Sequence, residues 1–170
     1  MASRIEERLR ELGLELPPVP APVGLYAPAR ESGGYLYLSG SGGTAPERGD
    51  EASAPESETA GTDATHGRVG SDLCVDQGRK AARMAVLKAL SIAKDYLGGF
   101  ERVRRVVKVL GFVSSAVDFY RQPEVIDGAS ELLLDLFGPE DGAHARSAVG
   151  VFALPFNIPV EIEMILELKQ

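Results

Sequence analysis

Residues 102–114 limit the possible folds more than any other part of the chain. Read as a strand, Arg102-Val103-Arg104-Arg105-Val106-Val107-Lys108-Val109-Leu110-Gly111-Phe112-Val113-Ser114 is apolar on both sides. Val107, Val109 and Val113 alternate onto one face, and Val106, Leu110 and Phe112 onto the other. Such a strand must be covered twice. Helical periodicity supplies two covers. From about Asp76 to Leu97, Ala82, Ala85, Val86, Ala89, Leu90 and Ala93 share one arc, with Lys80, Arg83, Lys88, Lys94 and Asp95 opposite, and Gly98-Gly99 stops the helix. A second helix starts near Pro123, gathers Val125, Ile126, Ala129, Leu132, Leu133, Leu136 and Phe137 on one face, and is expected to end at Gly138-Pro139. Two helices cover one side of a four- to six-stranded sheet, so a second copy of the chain is expected to cover the other.

The remaining strands follow from alternation and turn residues. Residues 23–29 and 34–39 read as a hairpin around Ser32-Gly33-Gly34. In the last strand Val160, Ile162, Met164, Leu166 and Leu168 alternate with Glu161, Glu163, Ile165 and Glu167. In the strand before it, Val149 and Val151 are expected to face the helices. Arg146, Ala148 and Gly150 then fall on the opposite face, which the acids of the last strand would share if the two strands pair. The order strand, strand, helix, strand, helix, strand, strand predicts an α+β fold, a mixed β-sheet with two helices packed on one face.

Ahead of this domain, residues 3–12 carry a capping-box spacing at Ser3 and Glu6 with Ile5, Leu9 and Leu12 on one face. Pro17, Pro18, Pro20 and Pro22 then extend the chain. The expected organisation is an N-terminal helix and Pro-rich arm over 1–22 and one domain over 23–170. Within the domain, residues 42–67 form an acidic insert with no Val, Ile, Leu, Met, Phe or Tyr between Gly42 and Gly67. A segment with nothing to bury is expected to be disordered.

Charge narrows the function. With 18 Lys and Arg against 25 Asp and Glu in 170 residues, the net charge is −7, which disfavours a broad phosphate-binding surface, so nucleic acid is not an expected partner. The basic run Arg102, Arg104, Arg105 and Lys108 reads as an ion-paired strand edge. One cysteine, Cys74, and two histidines, His66 and His144, make neither an intramolecular disulfide nor a zinc cluster, so no metal is expected and a reducing, cytoplasmic setting is. No apolar run approaches the roughly 20 residues of a membrane span. Gly40-Ser41-Gly42-Gly43 opens no helix and is not a phosphate cradle. By the residues alone, Arg146 would pair with Glu161 or Glu163.

Val23-Gly24-Leu25-Tyr26, Tyr37-Leu38-Ser39-Gly40, Ala81-Ala82-Arg83, Arg146-Ser147-Ala148-Val149-Gly150-Val151 and Leu154-Pro155 followed by Val160-Glu161-Ile162-Glu163 together resemble the Rid family. That family is also called YjgF, and its members often carry the name L-PSP endoribonuclease. The resemblance covers roughly residues 20–168 without the insert, and its specific part is the Arg-Ser-Xaa-Val strand with the downstream Pro and Glu-Xaa-Glu.

The resemblance implies a chorismate-mutase-like fold and a homotrimer with a small-molecule site in each interface cleft. It also implies cofactor-free hydrolysis of an enamine or imine derived from an amino acid, with release of ammonia. Carried over, Arg146 clamps the substrate carboxylate, Glu161 orients or activates water, Tyr26 and Ser39 line the pocket, and Gly40 offers backbone polar groups. Two positions depart from the family pattern. Ala148 stands where cysteine is usual, and Asp127 stands where asparagine is, its charge expected to repel an anionic substrate. The alternative is a ligand-binding trimer without this chemistry. An endoribonuclease is the third reading, which the negative charge disfavours.

Overall fold

The structure is a computed structural model that describes residues 3–21, 24–43 and 66–169. Helix α1 (Arg4–Glu11) starts as its sequence predicts. The Glu6 amide donates to Ser3 Oγ at 3.3 Å, and the Ser3 amide donates to the Glu6 carboxylate at 2.9 Å. Ile5 and Leu9 enter the core, and Lys94 reaches Glu6 at 2.7 Å. That ammonium, helped by the Ser3 amide, holds the Glu6 carboxyl at a pKa of about 2. The arm behind α1 is strapped down by Ser91, whose hydroxyl donates to the Pro17 carbonyl at 2.7 Å.

Strand β1 (Ala29–Ser32) pairs with β2 (Tyr35–Gly43) across Gly33 and Gly34, which have φ of 59° and 82°. A two-residue turn of this left-handed type fixes Ser32 opposite Tyr35, so the first strand lies later than the expected 23–29 and begins just after Pro28. Gly42 and Gly43, expected in the insert, extend β2. Val23 and residues 44–65, which make up most of that acidic insert, lie outside the described residues.

Helix α2 (Val75–Leu97) follows, ending at Gly98 with φ 74°, then β3 (Val103–Ser114), helix α3 (Gln122–Asp141), β4 (Ala145–Val151) and β5 (Val160–Leu168). The regular part of α3 does break at Gly138 (φ 83°). One more turn follows because Pro139 is tolerated at the start of a turn. Among the described residues no helix is long and apolar enough to cross a membrane.

The sheet order is β1-β2-β5-β3-β4, with β3 and β4 parallel and the other pairs antiparallel. The mixed α+β fold is as expected, α2 and α3 covering one face and α1 packing on α3, which makes three α-helices among the described residues. The two last strands do not pair. Strand β5 sits in the centre, where Val160, Ile162, Met164, Leu166 and Leu168 are all buried on one face, and β4 is an edge strand bonded to β3 alone.

Facing on β4 is the reverse of the expectation. Arg146 and Ala148 lie opposite Val109 and Gly111 on the helix side, and Val149, 42% exposed, lies on the open side. The cause is close approach by α3. A Cβ on Gly150 would come within 2.7 Å of Gln122 Nε2, and one on Gly111 within 2.6 Å of Ile126 Cδ1. A valine there would have to displace those side chains. A register shift between Val106 and Lys108 likewise turns Val106 into the core, leaving Lys108, Leu110 and Phe112 on the open face with Ile165.

The same tightness governs α2 on β2. A Cβ on Gly43 would collide with the backbone carbonyl of Ala81, which cannot move without shifting the helix. Gly43→Ala is therefore expected to cost about 3 kcal/mol or more by overpacking. Urea unfolding measures it, and an unchanged midpoint would mean that α2 lies further from the sheet.

Candidate functional site

Arg146 is the centre of the site. It stands on the edge strand with its side chain turned toward α3, where Asp127 and Ser130, one turn apart, present their polar ends. Its Nη1 donates to Asp127 Oδ1 at 2.7 Å and to Ser130 Oγ at 3.0 Å. Both Nη1 hydrogens are thereby used. Among the described residues the Nε and Nη2 edge has no protein acceptor, and that edge is a planar pair of parallel donors. The side chain is 24% exposed, so a small planar anion can reach it.

Asp127 accordingly does something other than what its charge alone suggests. It anchors one nitrogen of the arginine and neutralises part of its charge. Arg146 pairs with neither Glu161 nor Glu163.

His144 and Ser130, assigned no role from the sequence, complete this cluster. His144 Nδ1 lies 2.7 Å from the Gly142 carbonyl and Nε2 lies 3.1 Å from Ser130 Oγ. Burial, and then the nearby Arg146, push the imidazole below its ordinary pKa, so it is neutral at pH 7. A signal for the cluster exists in the sequence: Asp127 and Ser130 are spaced i, i+3 on a helix, and His144 and Arg146 i, i+2 along the strand lead-in. It becomes readable only once α3 is known to face β4.

The other expected residues gather elsewhere. The Glu161 carboxylate lies against Gly40, whose added Cβ would be 2.7 Å from Glu161 Cδ. Burial, then repulsion by Glu163, raise its pKa above the usual carboxylate value. Ser39 donates its hydroxyl to the Ala27 carbonyl at 2.8 Å, holding the segment that carries half-exposed Tyr26 against β2. Ser39, Gly40 and Glu161 thus lie on the adjoining strands β2 and β5, with Tyr26 on the segment that Ser39 holds, and Arg146, Asp127 and Ala148 form a separate group. Strand β3 separates them, and Arg146 and Glu161 project from opposite faces of the sheet. Ala148 packs against the core beside α3.

The three arginines of the basic run are ion-paired as the sequence suggested, whereas Lys108 meets a hydroxyl. Arg102 binds Glu31 at 2.6 Å, Arg104 binds Glu167 at 2.8 Å, Arg105 lies 3.4 Å from Glu167, and Lys108 reaches Ser147 Oγ at 3.0 Å.

With that geometry in place, similarity to known proteins defines the class. A family described as "YjgF/chorismate mutase-like, putative endoribonuclease" matches residues 53–168, and the chain belongs to this family, the Rid family of the motifs above. It is 38% identical to Protein TCP17 of Trypanosoma cruzi over 168 residues, 99% of this chain and 96% of that one. The solved structure of Atu1372 from Agrobacterium tumefaciens, a protein of unknown function, is 38% identical, covers 98% of this chain and 93% of its own, and superposes with a TM-score of 0.78. A "putative endoribonuclease" from Shewanella oneidensis is 31% identical, with 96% and 98% covered and a TM-score of 0.80.

Asp127→Asn keeps an acceptor for Arg146 while removing the charge. It is expected to tighten 2-oxobutanoate binding about two- to fivefold, the range of a partly exposed ion pair, by titration calorimetry. Asp127→Ala, which frees the guanidinium, is expected to weaken it.

Proposed function

We propose that the protein is a cofactor-free deaminase that hydrolyses enamines or imines of small amino acids in the cytoplasm, working as a homotrimer with its site between protomers. The observation that carries this reading is Arg146, anchored through Nη1 and open along its Nε and Nη2 edge. That edge fits the carboxylate of a 2-iminocarboxylic acid. Water adds to the carbon of the protonated imine as Glu161 takes one of its protons, which gives the carbinolamine. Glu161 returns that proton to the carbinolamine nitrogen, the carbon–nitrogen bond breaks as the hydroxyl oxygen forms the carbonyl and gives its proton back to Glu161, and ammonia leaves.

The placement of Arg146 and Glu161 on opposite faces of one chain supports a site shared by two chains. Uncovered apolar groups on the open face, with Val149 at 42% exposure and Phe112 and Ile165 half-buried, support a trimer. The binding-only reading is favoured by one observation, that Asp127 already shares the arginine's charge. The endoribonuclease reading is disfavoured by the net charge of −7 and the ion pairing of the basic run.

The freshly generated imine of a small amino acid, such as 2-iminobutanoate, is expected to release ammonia faster with the protein and without metal or nucleotide. Arg146→Ala should lower the rate by about 100-fold or more, and Arg146→Lys should also be impaired, because an ammonium lacks two parallel donors. Equal rates for wild type and Arg146→Ala would make the arginine structural. Sedimentation equilibrium is expected to give three times the chain mass.

The pH profile tests Glu161. As a base it must be ionised, so the rate should fall as pH drops through its raised pKa, an acid limb above 4.5. Glu163 raises that pKa, so Glu163→Gln should move the limb to lower pH.

A further inference from the structure

The hydrogen bonds around Arg146 have a direction. A carbonyl oxygen only accepts, so the 2.7 Å contact with Gly142 places the proton of neutral His144 on Nδ1. Nε2 then carries a lone pair and must accept the Ser130 hydroxyl proton at 3.1 Å. With its hydrogen committed, Ser130 Oγ presents lone pairs to Arg146 Nη1 at 3.0 Å. The chain therefore runs from Arg146 to Ser130, from Ser130 to His144, and from His144 to the Gly142 carbonyl.

Its far end is fixed by backbone packing. Gly142 is buried where α3 ends, and its amide donates to the Gly138 carbonyl at 2.8 Å. A Cβ there would lie 2.6 Å from the Leu133 carbonyl oxygen, so the residue cannot shift toward α3. Asp127 holds the other Nη1 hydrogen from one turn earlier on the same helix.

We propose that Ser130 and His144 are positioning residues that lock the Arg146 guanidinium, so that only its Nε and Nη2 edge meets an incoming carboxylate. The inference rests on the carboxylate-clamp reading of Arg146 and adds what makes the clamp rigid. An arginine side chain free to rotate loses conformational entropy on binding, and one held through Nη1 by two acceptors has already lost it. The lock also sets the plane in which a ligand carboxylate must lie.

The test uses the full chain, nitrogen-15 NMR of Arg146 and His144, and calorimetry with sodium 2-oxobutanoate. In wild type the His144 ring should report the Nδ1–H tautomer, and the Arg146 Nη1 hydrogens should be separate and slowly averaging. In Ser130→Ala and in His144→Ala those arginine signals should average, and Kd should rise about tenfold, the weight of one hydrogen bond to a charged group. The double variant should be no worse than either single one, since both break the same chain. Ser130→Thr, which keeps the hydroxyl, should restore slow averaging and affinity. The unfolding midpoint of each variant checks that it folds.

Unchanged arginine signals in Ser130→Ala, or losses that add in the double variant, would overturn the proposal. Averaging on loss of Ser130 combined with a Kd indifferent to Arg146→Ala would support the lock and overturn the carboxylate-clamp reading instead.

Discussion

Helices α2 and α3 lie so close to the sheet, and to each other, that backbone and small side chains make the contacts. Gly43 faces the Ala81 carbonyl, Gly111 faces Ile126, and Gly150 faces Gln122. Between the helices, a Cβ on Gly128 would lie 2.9 Å from Arg79 Cα. Interiors are packed at crystal-like density, so one added methyl at Gly43 or Gly128 must displace a helix backbone, and one at Gly111 or Gly150 must push aside the side chain it meets. This closeness decides the site. Beside α3 there is no room for branched side chains on β4, so the valines turn outward, and at its start the helix side takes Arg146, long enough to run past the contact to Asp127 and Ser130.

The outward turn of those valines has its own consequence. The open face carries Val149, Leu110, Phe112 and Ile165 beside the carboxylates of Glu161 and Glu163. The face is therefore part apolar and part acidic. Glu161 on that face is half-buried and its pKa is raised by that burial. Further burial would raise it more.

Arg146 shows how one ion pair can serve orientation more than stability. Its partner Asp127 is substantially exposed, so the pair adds little to folding. What it does is occupy Nη1 together with Ser130. Asp127 is then an anchor that also lowers the net charge around Arg146, and His144 behind Ser130 keeps the hydroxyl proton pointed away from the arginine.

Much of this was legible in the sequence, and the rest was not for identifiable reasons. The Ser3 and Glu6 cap, the helical arcs of α2 and α3 and the alternation of β5 rest on contacts a few residues apart, so spacing alone determined them. The motif around Arg146 likewise determined the family. Which strand lies beside which, and which face of β4 meets the helices, depends on distances between elements far apart in the chain. Alternation cannot tell one face of a strand from the other when both carry small or apolar residues, as Ala148 and Gly150 do against Val149 and Val151. Only the approach of α3 to within a methyl group of Gly111 and Gly150 broke that symmetry, and with it joined Asp127, Ser130, His144 and Arg146 into one cluster.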